Sequence, residues 1–128
     1  MGLHIMLVDS DEDVIHVTAE MLERMGHSVQ AERIVQTALR MFSKDPDRFD
    51  LAIIEPVMPE PGGVELGIQL GRLKPGFPVL FYTGYLDPQL EDVIKDAGVG
   101  KTILKPLTSR ELEKAIEECC VVLHLKIA

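Results

Sequence analysis

Acidic, hydroxyl and amine side chains follow four apolar segments of this sequence, each close to the point where its segment ends. The first segment is followed by two carboxylates with a serine between them, and the others by one carboxylate, one hydroxyl and one amine. In chain order these residues are Asp9-Ser10-Asp11, Glu55, Thr83 and Lys105. Carboxylate and hydroxyl oxygens are the ligands that a hard cation such as Mg²⁺ prefers. An ammonium and a hydroxyl beside them suit the oxygens of a phosphoryl group. If the fold brings these groups together, they predict a site for metal and phosphoryl chemistry.

Strand-like apolar segments alternate with helical patterns along the whole chain. The predicted strands are Leu3–Val8, His27–Ala31, Leu51–Ile54, Pro78–Tyr82 and Val99–Leu104. The predicted helices are Asp11–Met25, Ile34–Phe42, Val64–Leu73, Pro88–Ala97 and a last one that Thr108, Ser109 and Glu111 open. The strands are apolar throughout, as in a parallel sheet that is covered on both faces. The alternation predicts a flavodoxin-like, doubly wound α/β sheet of strand order 2-1-3-4-5, with two helices on one face and three on the other.

Helix-end signals refine these boundaries. Ser10 is a plausible N-cap of the first helix, and Gly26 stands just past its end. Thr108 and Glu111 have the spacing of a capping box at the start of the last helix. That last helix has apolar residues at 112, 115, 116, 119, 120 and 123, which predict a single stripe facing the core.

The predicted topology places the polar groups at one edge of the sheet. In open α/β sheets a ligand binds outside the carboxyl ends of the strands, at the point where the strand order reverses. The first, third, fourth and fifth strands all end at this edge. We therefore expect the acidic groups, the hydroxyl and the amine to converge there.

Length and charge limit the function classes. The chain has 128 residues, which predicts a single domain over residues 1–128. The net charge of −8 disfavours direct binding to nucleic acid. No apolar run approaches the roughly 18–20 residues that span a membrane. Residues Met1 to Met6 lack the pattern of a secretory signal, so we expect a cytoplasmic location.

Four short motifs recur together in this order and resemble the response-regulator receiver family of two-component signalling. They are IMLVD at residues 5–9, EPVMP at 55–59 with Gly63, PVLFYTG at 78–84 and LKP at 104–106. The resemblance runs over essentially the whole chain. It implies a domain whose partners are a histidine kinase, a phosphotransfer protein or an output domain, with Mg²⁺ at the acidic site.

The resemblance also implies roles for single residues. Glu55 stands at the phosphoacceptor position, and Asp9 matches the first of two acids that hold Mg²⁺. Thr83 and Lys105 match the groups that contact the phosphoryl oxygens. The backbone N–H groups of Val57 and Gly84 face the phosphoryl site, and Pro106 is a candidate for a cis peptide bond.

Three positions depart from the family pattern. Glu55 replaces an aspartate, and its extra methylene extends the carboxylate by about 1.5 Å, one single-bond length. Ser10 replaces the second acid, although Asp11 could partly substitute for it. Thr102 replaces the aromatic residue that rotates when the family's switch operates. Metal binding, through Asp9 and Glu55, is therefore predicted to be weak.

These departures predict an atypical receiver that is not an enzyme and acts as a regulatory protein-interaction module. Glu55 near Lys105 and Thr83 would either imitate the phosphorylated state or fix the inactive one. One alternative is a working phosphoacceptor that uses Glu55 or Asp9, and another is a small-ligand or nucleotide carrier on the same fold. The fourth helix, fifth strand and fifth helix form a possible homodimer face, and the apolar segment 121–127 could extend that face or begin a connector to an output domain.

Overall fold

Five parallel strands form one sheet at the centre of the molecule. The computed structural model describes residues 2–105 and 108–119. Its strands are β1 (His4–Val8), β2 (Ser28–Glu32), β3 (Leu51–Ile54), β4 (Val79–Thr83) and β5 (Lys101–Leu104). Every neighbouring pair is parallel, and the order is β2-β1-β3-β4-β5. The predicted fold class and strand order are confirmed.

Helices cover both faces of the sheet. They are α1 (Glu12–Arg24), α2 (Val35–Lys44), α3 (Gly63–Leu73), α4 (Pro88–Ala97) and α5 (Ser109–Cys119). A single 3₁₀ turn, Pro46–Arg48, follows α2 and was not predicted. Helices α1 and α5 pack on one face, and α2, α3 and α4 pack on the other. Within residues 2–105 and 108–119, no helix has the length and apolar character needed to cross a membrane.

Successive residues of β1 show why the central strands lack polar alternation. Met6 and Val8 pack into the apolar cluster beneath α2, α3 and α4. Ile5 and Leu7 pack into the opposite cluster, beneath α1 and α5. Because side chains alternate between faces and both faces are covered, every position from Ile5 to Val8 is buried, and only His4 at the start of the strand is exposed. This burial fixes the strand and therefore the position of the polar residue that follows it.

The first helix begins one residue later than predicted, and its cap is Asp11 instead of Ser10. The backbone of Asp11 is extended, and its Oδ1 accepts hydrogen bonds from the N–H groups of Asp13 at 3.0 Å and Val14 at 3.2 Å. Aspartate and serine are comparable N-caps. Asp11 is the cap because its carboxylate accepts hydrogen bonds from two of the free N–H groups at the start of the helix.

Two glycines delay the start of β5 from the predicted Val99 to Lys101. Gly98 and Gly100 have φ angles of 67° and 74°, in the left-handed region that favours glycine. A Cβ at Gly100 would lie 2.9 Å from the carbonyl oxygen of Val79. The chain therefore ends α4 and turns before it can pair with β4.

The predicted capping box opens α5 and is confirmed. The Glu111 N–H donates to Thr108 Oγ1, and the Thr108 N–H donates to Glu111 Oε1, both at 3.1 Å. Leu112, Ala115 and Ile116 then face the core, as the apolar stripe predicts. The later stripe positions 120 and 123, and the segment 121–127, lie outside the described residues.

Candidate functional site

Four polar side chains from four different strand ends meet at the carboxyl edge of the sheet: Asp9, Glu55, Thr83 and Lys105. Backbone hydrogen bonds extend the ladder into this edge. The Glu55 N–H donates to the Val8 carbonyl at 2.9 Å, and the Lys105 N–H donates to the Thr83 carbonyl at 2.7 Å. The predicted convergence is therefore present, and the sheet itself fixes the backbone of the site.

Lys105 lies between two carboxylates. Its Nζ is 2.6 Å from Asp9 Oδ2 and 3.0 Å from Glu55 Oε2. The side chains of Lys105, Asp9 and Glu55 are only 16%, 7% and 11% exposed. Ion pairs this sheltered from water are screened far less than surface pairs.

The ammonium of Lys105 stays charged in this setting. Burial by itself would lower the pKa of Lys105, but hydrogen bonds to Asp9 and Glu55 and the attraction of their charges outweigh it. The net effect raises the pKa above its usual value of 10.5. At neutral pH the site therefore contains a fixed positive charge.

Both oxygens of the Glu55 carboxylate are occupied by donors. Oε1 accepts from the Val57 N–H at 3.1 Å and from the Thr83 hydroxyl at 2.9 Å. Oε2 accepts from Lys105. The Thr83 hydroxyl also lies 3.1 Å from the carbonyl oxygen of Tyr85, so its single proton has two acceptors. A backbone N–H, a hydroxyl and an ammonium thus converge on one carboxylate.

The β1–α1 loop contributes only Asp9 to this cluster. Asp9 Oδ1 accepts from the Asp11 N–H at 2.9 Å, while the Asp11 carboxylate caps α1. Ser10 is half-buried, and its carbonyl oxygen accepts two hydrogen bonds from the exposed Arg33 guanidinium, at 3.3 and 3.2 Å. One oxygen of the Asp11 carboxylate is thus used at the start of α1, and whether Asp11 substitutes for the missing second acid stays a prediction.

Two other predicted site residues, Gly84 and Thr102, form no hydrogen bond with the cluster within the described part of the chain. Among the described residues, Gly84 donates no hydrogen bond to Glu55. Thr102 is half-buried on β5, where it is paired in register with Phe81 of β4. Pro106, the candidate for a cis peptide bond, lies outside the described residues.

Sequence reasoning missed one residue that contacts the cluster, Tyr82. Lys105 Nζ lies 5.2 Å from the centroid of its ring. Tyr82 reads as an ordinary core residue of β4, and nothing in its spacing marks it. The available signal was its position directly before Thr83, at the end of the strand that enters the site.

Comparison with known proteins agrees with this geometry. Residues 5–117 match the response regulator receiver domain family, and the chain belongs to that family. It is 29% identical over 121 residues to the response regulator receiver protein CpdR of Brucella abortus, covering 91% of this chain and 96% of that protein. It is 27% identical over 113 residues, 88% of this chain, to the two-component response regulator ARR10 of Arabidopsis thaliana, of which it spans only 20%.

The fold also matches solved structures. A receiver domain protein from Clostridium thermocellum superposes with a TM-score of 0.88 at 22% identity, covering 96% of this chain and 98% of that one. The family match over residues 5–117 makes the chain a receiver domain of two-component signalling, and this family consists of signalling modules. Receiver domains act with kinases, phosphotransfer proteins or output domains.

Receiver domains generally bind Mg²⁺ at their acidic site, and the described residues here offer that ion few free carboxylates. The described part of the chain contains no group of three or more His, Cys, Asp or Glu side chains that could hold a metal. Ser10 offers no carboxylate, and the Asp11 carboxylate is turned towards its helix. Asp9 and Glu55 already contact Lys105, whose ammonium is the cation between them.

Proposed function

We propose that this chain is an atypical receiver domain that is not phosphorylated at the usual position and acts as a regulatory protein-interaction module. One observation carries the proposal. The Glu55 carboxylate already engages the Val57 N–H, the Thr83 hydroxyl and the Lys105 ammonium. These are the groups that the family resemblance assigns to the phosphoryl oxygens. The glutamate therefore occupies the place where a phosphoryl group would be bound.

The extra methylene of glutamate accounts for this placement. It moves the carboxylate about 1.5 Å further along the side chain than in aspartate. The imitation of a phosphoryl group is partial, because a phosphoryl group carries up to about two negative charges and three acceptor oxygens. The carboxylate carries one charge and two oxygens, and both oxygens are used.

The remaining positions support a site that does not switch. Ser10 removes the second acid, so we propose that Mg²⁺ binding through Asp9 and Glu55 is weak. Thr102 has no large side chain to couple the site to the surface of α4 and β5. The partner would be a histidine kinase, a phosphotransfer protein or an output domain, or a second copy bound through α4, β5 and α5. The partner would then be bound in the same way whether or not a phosphodonor is present.

Intact mass after incubation with acetyl phosphate or phosphoramidate and Mg²⁺ tests the proposal. The natural protein is expected to keep its mass. The matched variant carrying Ser10→Asp and Glu55→Asp restores both carboxylates and is expected to gain one phosphoryl group. A phosphoryl group on the natural protein would establish the alternative, a working phosphoacceptor, and peptide mapping would distinguish Glu55 from Asp9.

A further inference from the structure

We infer that Tyr82 is a positioning residue that holds Lys105 against Asp9 and Glu55 through the face of its aromatic ring. Lys105 Nζ lies 5.2 Å from the ring centroid, within the range of a cation–π contact. Tyr82 as a whole is only 6% exposed, so little water competes for the ammonium. The inference rests on the proposed function, since it explains why the contact between Lys105 and Glu55 persists.

The hydrogen-bond inventory of the ammonium leaves a role for the ring. Lys105 has three N–H donors. Among the described residues it has two hydrogen-bond acceptors, Asp9 and Glu55. The negative face of the Tyr82 ring attracts the Lys105 ammonium on the side that contacts neither carboxylate. An aliphatic side chain has no such negative face.

The ring itself has a fixed position. Tyr82 belongs to the core cluster between the sheet and α5, with Leu112 and Ile116 among its members. The next residue, Thr83, contacts Glu55 from the other side of β4. Two successive residues of one strand therefore hold the two ends of the same ion pair, the lysine and the glutamate. If Lys105 moved out of the site, it would lose the ring as well as both carboxylates.

The proposed role uses the ring and not the hydroxyl of Tyr82. Tyr82→Phe should therefore preserve the position of Lys105, whereas Tyr82→Leu should release it. This contrast separates positioning from a general loss of stability, because phenylalanine keeps the aromatic face and leucine keeps only apolar volume.

The test is the rate at which an amine-acylating reagent modifies Lys105 at mild alkaline pH, measured by peptide mass spectrometry. Only the neutral, released amine reacts. The exposed Lys101 in the same protein provides the internal standard. Tyr82→Leu is expected to raise the Lys105-to-Lys101 rate ratio between about twofold and about thirtyfold, the range that corresponds to a cation–π contact. Tyr82→Phe is expected to stay within about twofold of the natural protein.

Two further variants make the outcome decisive. Leu80→Ala removes a buried side chain from the same strand and the same core cluster, and leucine has no aromatic face that could attract the Lys105 ammonium. The inference would be overturned if the Lys105-to-Lys101 rate ratio did not rise in Tyr82→Leu. It would also be overturned if the ratio rose equally in Leu80→Ala or in Tyr82→Phe. Glu55→Gln is expected to raise the ratio on its own. An unchanged ratio in Glu55→Gln would show that Glu55 does not restrain Lys105. That result would contradict the proposed function and not the role of Tyr82.

Discussion

Replacing Lys105 by methionine is expected to destabilise the fold far more than removing an exposed cation. The substitution keeps an unbranched apolar side chain of similar length but removes the ammonium. Asp9 and Glu55, only 7% and 11% exposed, are then left facing each other without a cation between them. Breaking a buried ion pair by removing one partner leaves an uncompensated charge in the interior.

The distances set the scale of this effect. At 2.6 and 3.0 Å from Lys105 Nζ, and with an effective dielectric constant of about 20, each carboxylate contact has a gross attraction on the order of 6 kcal/mol. The cost of removing the ions from water offsets most of that attraction. Loss of one partner of a buried pair typically costs about 3–5 kcal/mol. Because the three side chains keep 16%, 7% and 11% of their surface exposed, we expect the lower end of this range, about 3 kcal/mol.

Urea unfolding at pH 7 measures the change, with Arg24→Met as the matched control. Arg24 pairs with Glu20 at 2.7 Å, but these side chains are 78% and 52% exposed. The control should lose less than about 0.5 kcal/mol. Adding Glu55→Gln to Lys105→Met should recover part of the loss, because one unpaired charge is removed. A loss no larger than the control's, or no recovery in the double variant, would refute the argument that charge pairing holds this site together.

Further predictions concern the metal, pH and capping. Isothermal titration calorimetry should show that the natural protein binds Mg²⁺ with a dissociation constant of about 1 mM or weaker. The double variant Ser10→Asp with Glu55→Asp should bind Mg²⁺ more tightly, and equal affinities would contradict this. Burial lowers the pKa of His27 below its usual 6.5, and its Nδ1 accepts a hydrogen bond from the Leu3 N–H. The free energy of unfolding should therefore fall as pH drops below about 6.5. A His27→Gln variant should show a smaller change of the urea midpoint with pH. Thr108→Ala should lower the free energy of unfolding by about 1 kcal/mol in urea titrations, since it removes the cap of α5; an unchanged midpoint would contradict this.

The fold was predictable because the sequence signals are redundant. The central strands β1, β3 and β4 are almost entirely apolar, and each strand is followed by a helical pattern of suitable length. The cap of α1 was predicted one residue early because Ser10 and Asp11 are adjacent and both are good caps. Periodicity cannot separate two such neighbours, and only the backbone geometry shows that Asp11 satisfies two N–H groups.

The membership of the site was also predictable, but its internal contacts were not. Strand ends alone bring Asp9, Glu55 and Lys105 together. Which carboxylate the ammonium contacts depends on side-chain conformations that sequence does not encode locally, and Lys105 contacts both. The contact with Tyr82 follows from the same conformation of Lys105. The capping role of the Asp11 carboxylate was also hidden, because the sequence offers Ser10 as an equally good cap.

The most direct test of a permanently occupied site is the amide ¹H–¹⁵N spectrum of the natural protein in Mg²⁺, recorded with and without a phosphodonor. The spectrum of Glu55→Gln is recorded for comparison. We predict that the donor leaves the spectrum of the natural protein unchanged. Glu55→Gln should shift the amides of Val57, Thr83 and Lys105, because their side chains or N–H groups contact the carboxylate. Donor-dependent shifts at these residues in the natural protein, or an unchanged spectrum in Glu55→Gln, would contradict the account.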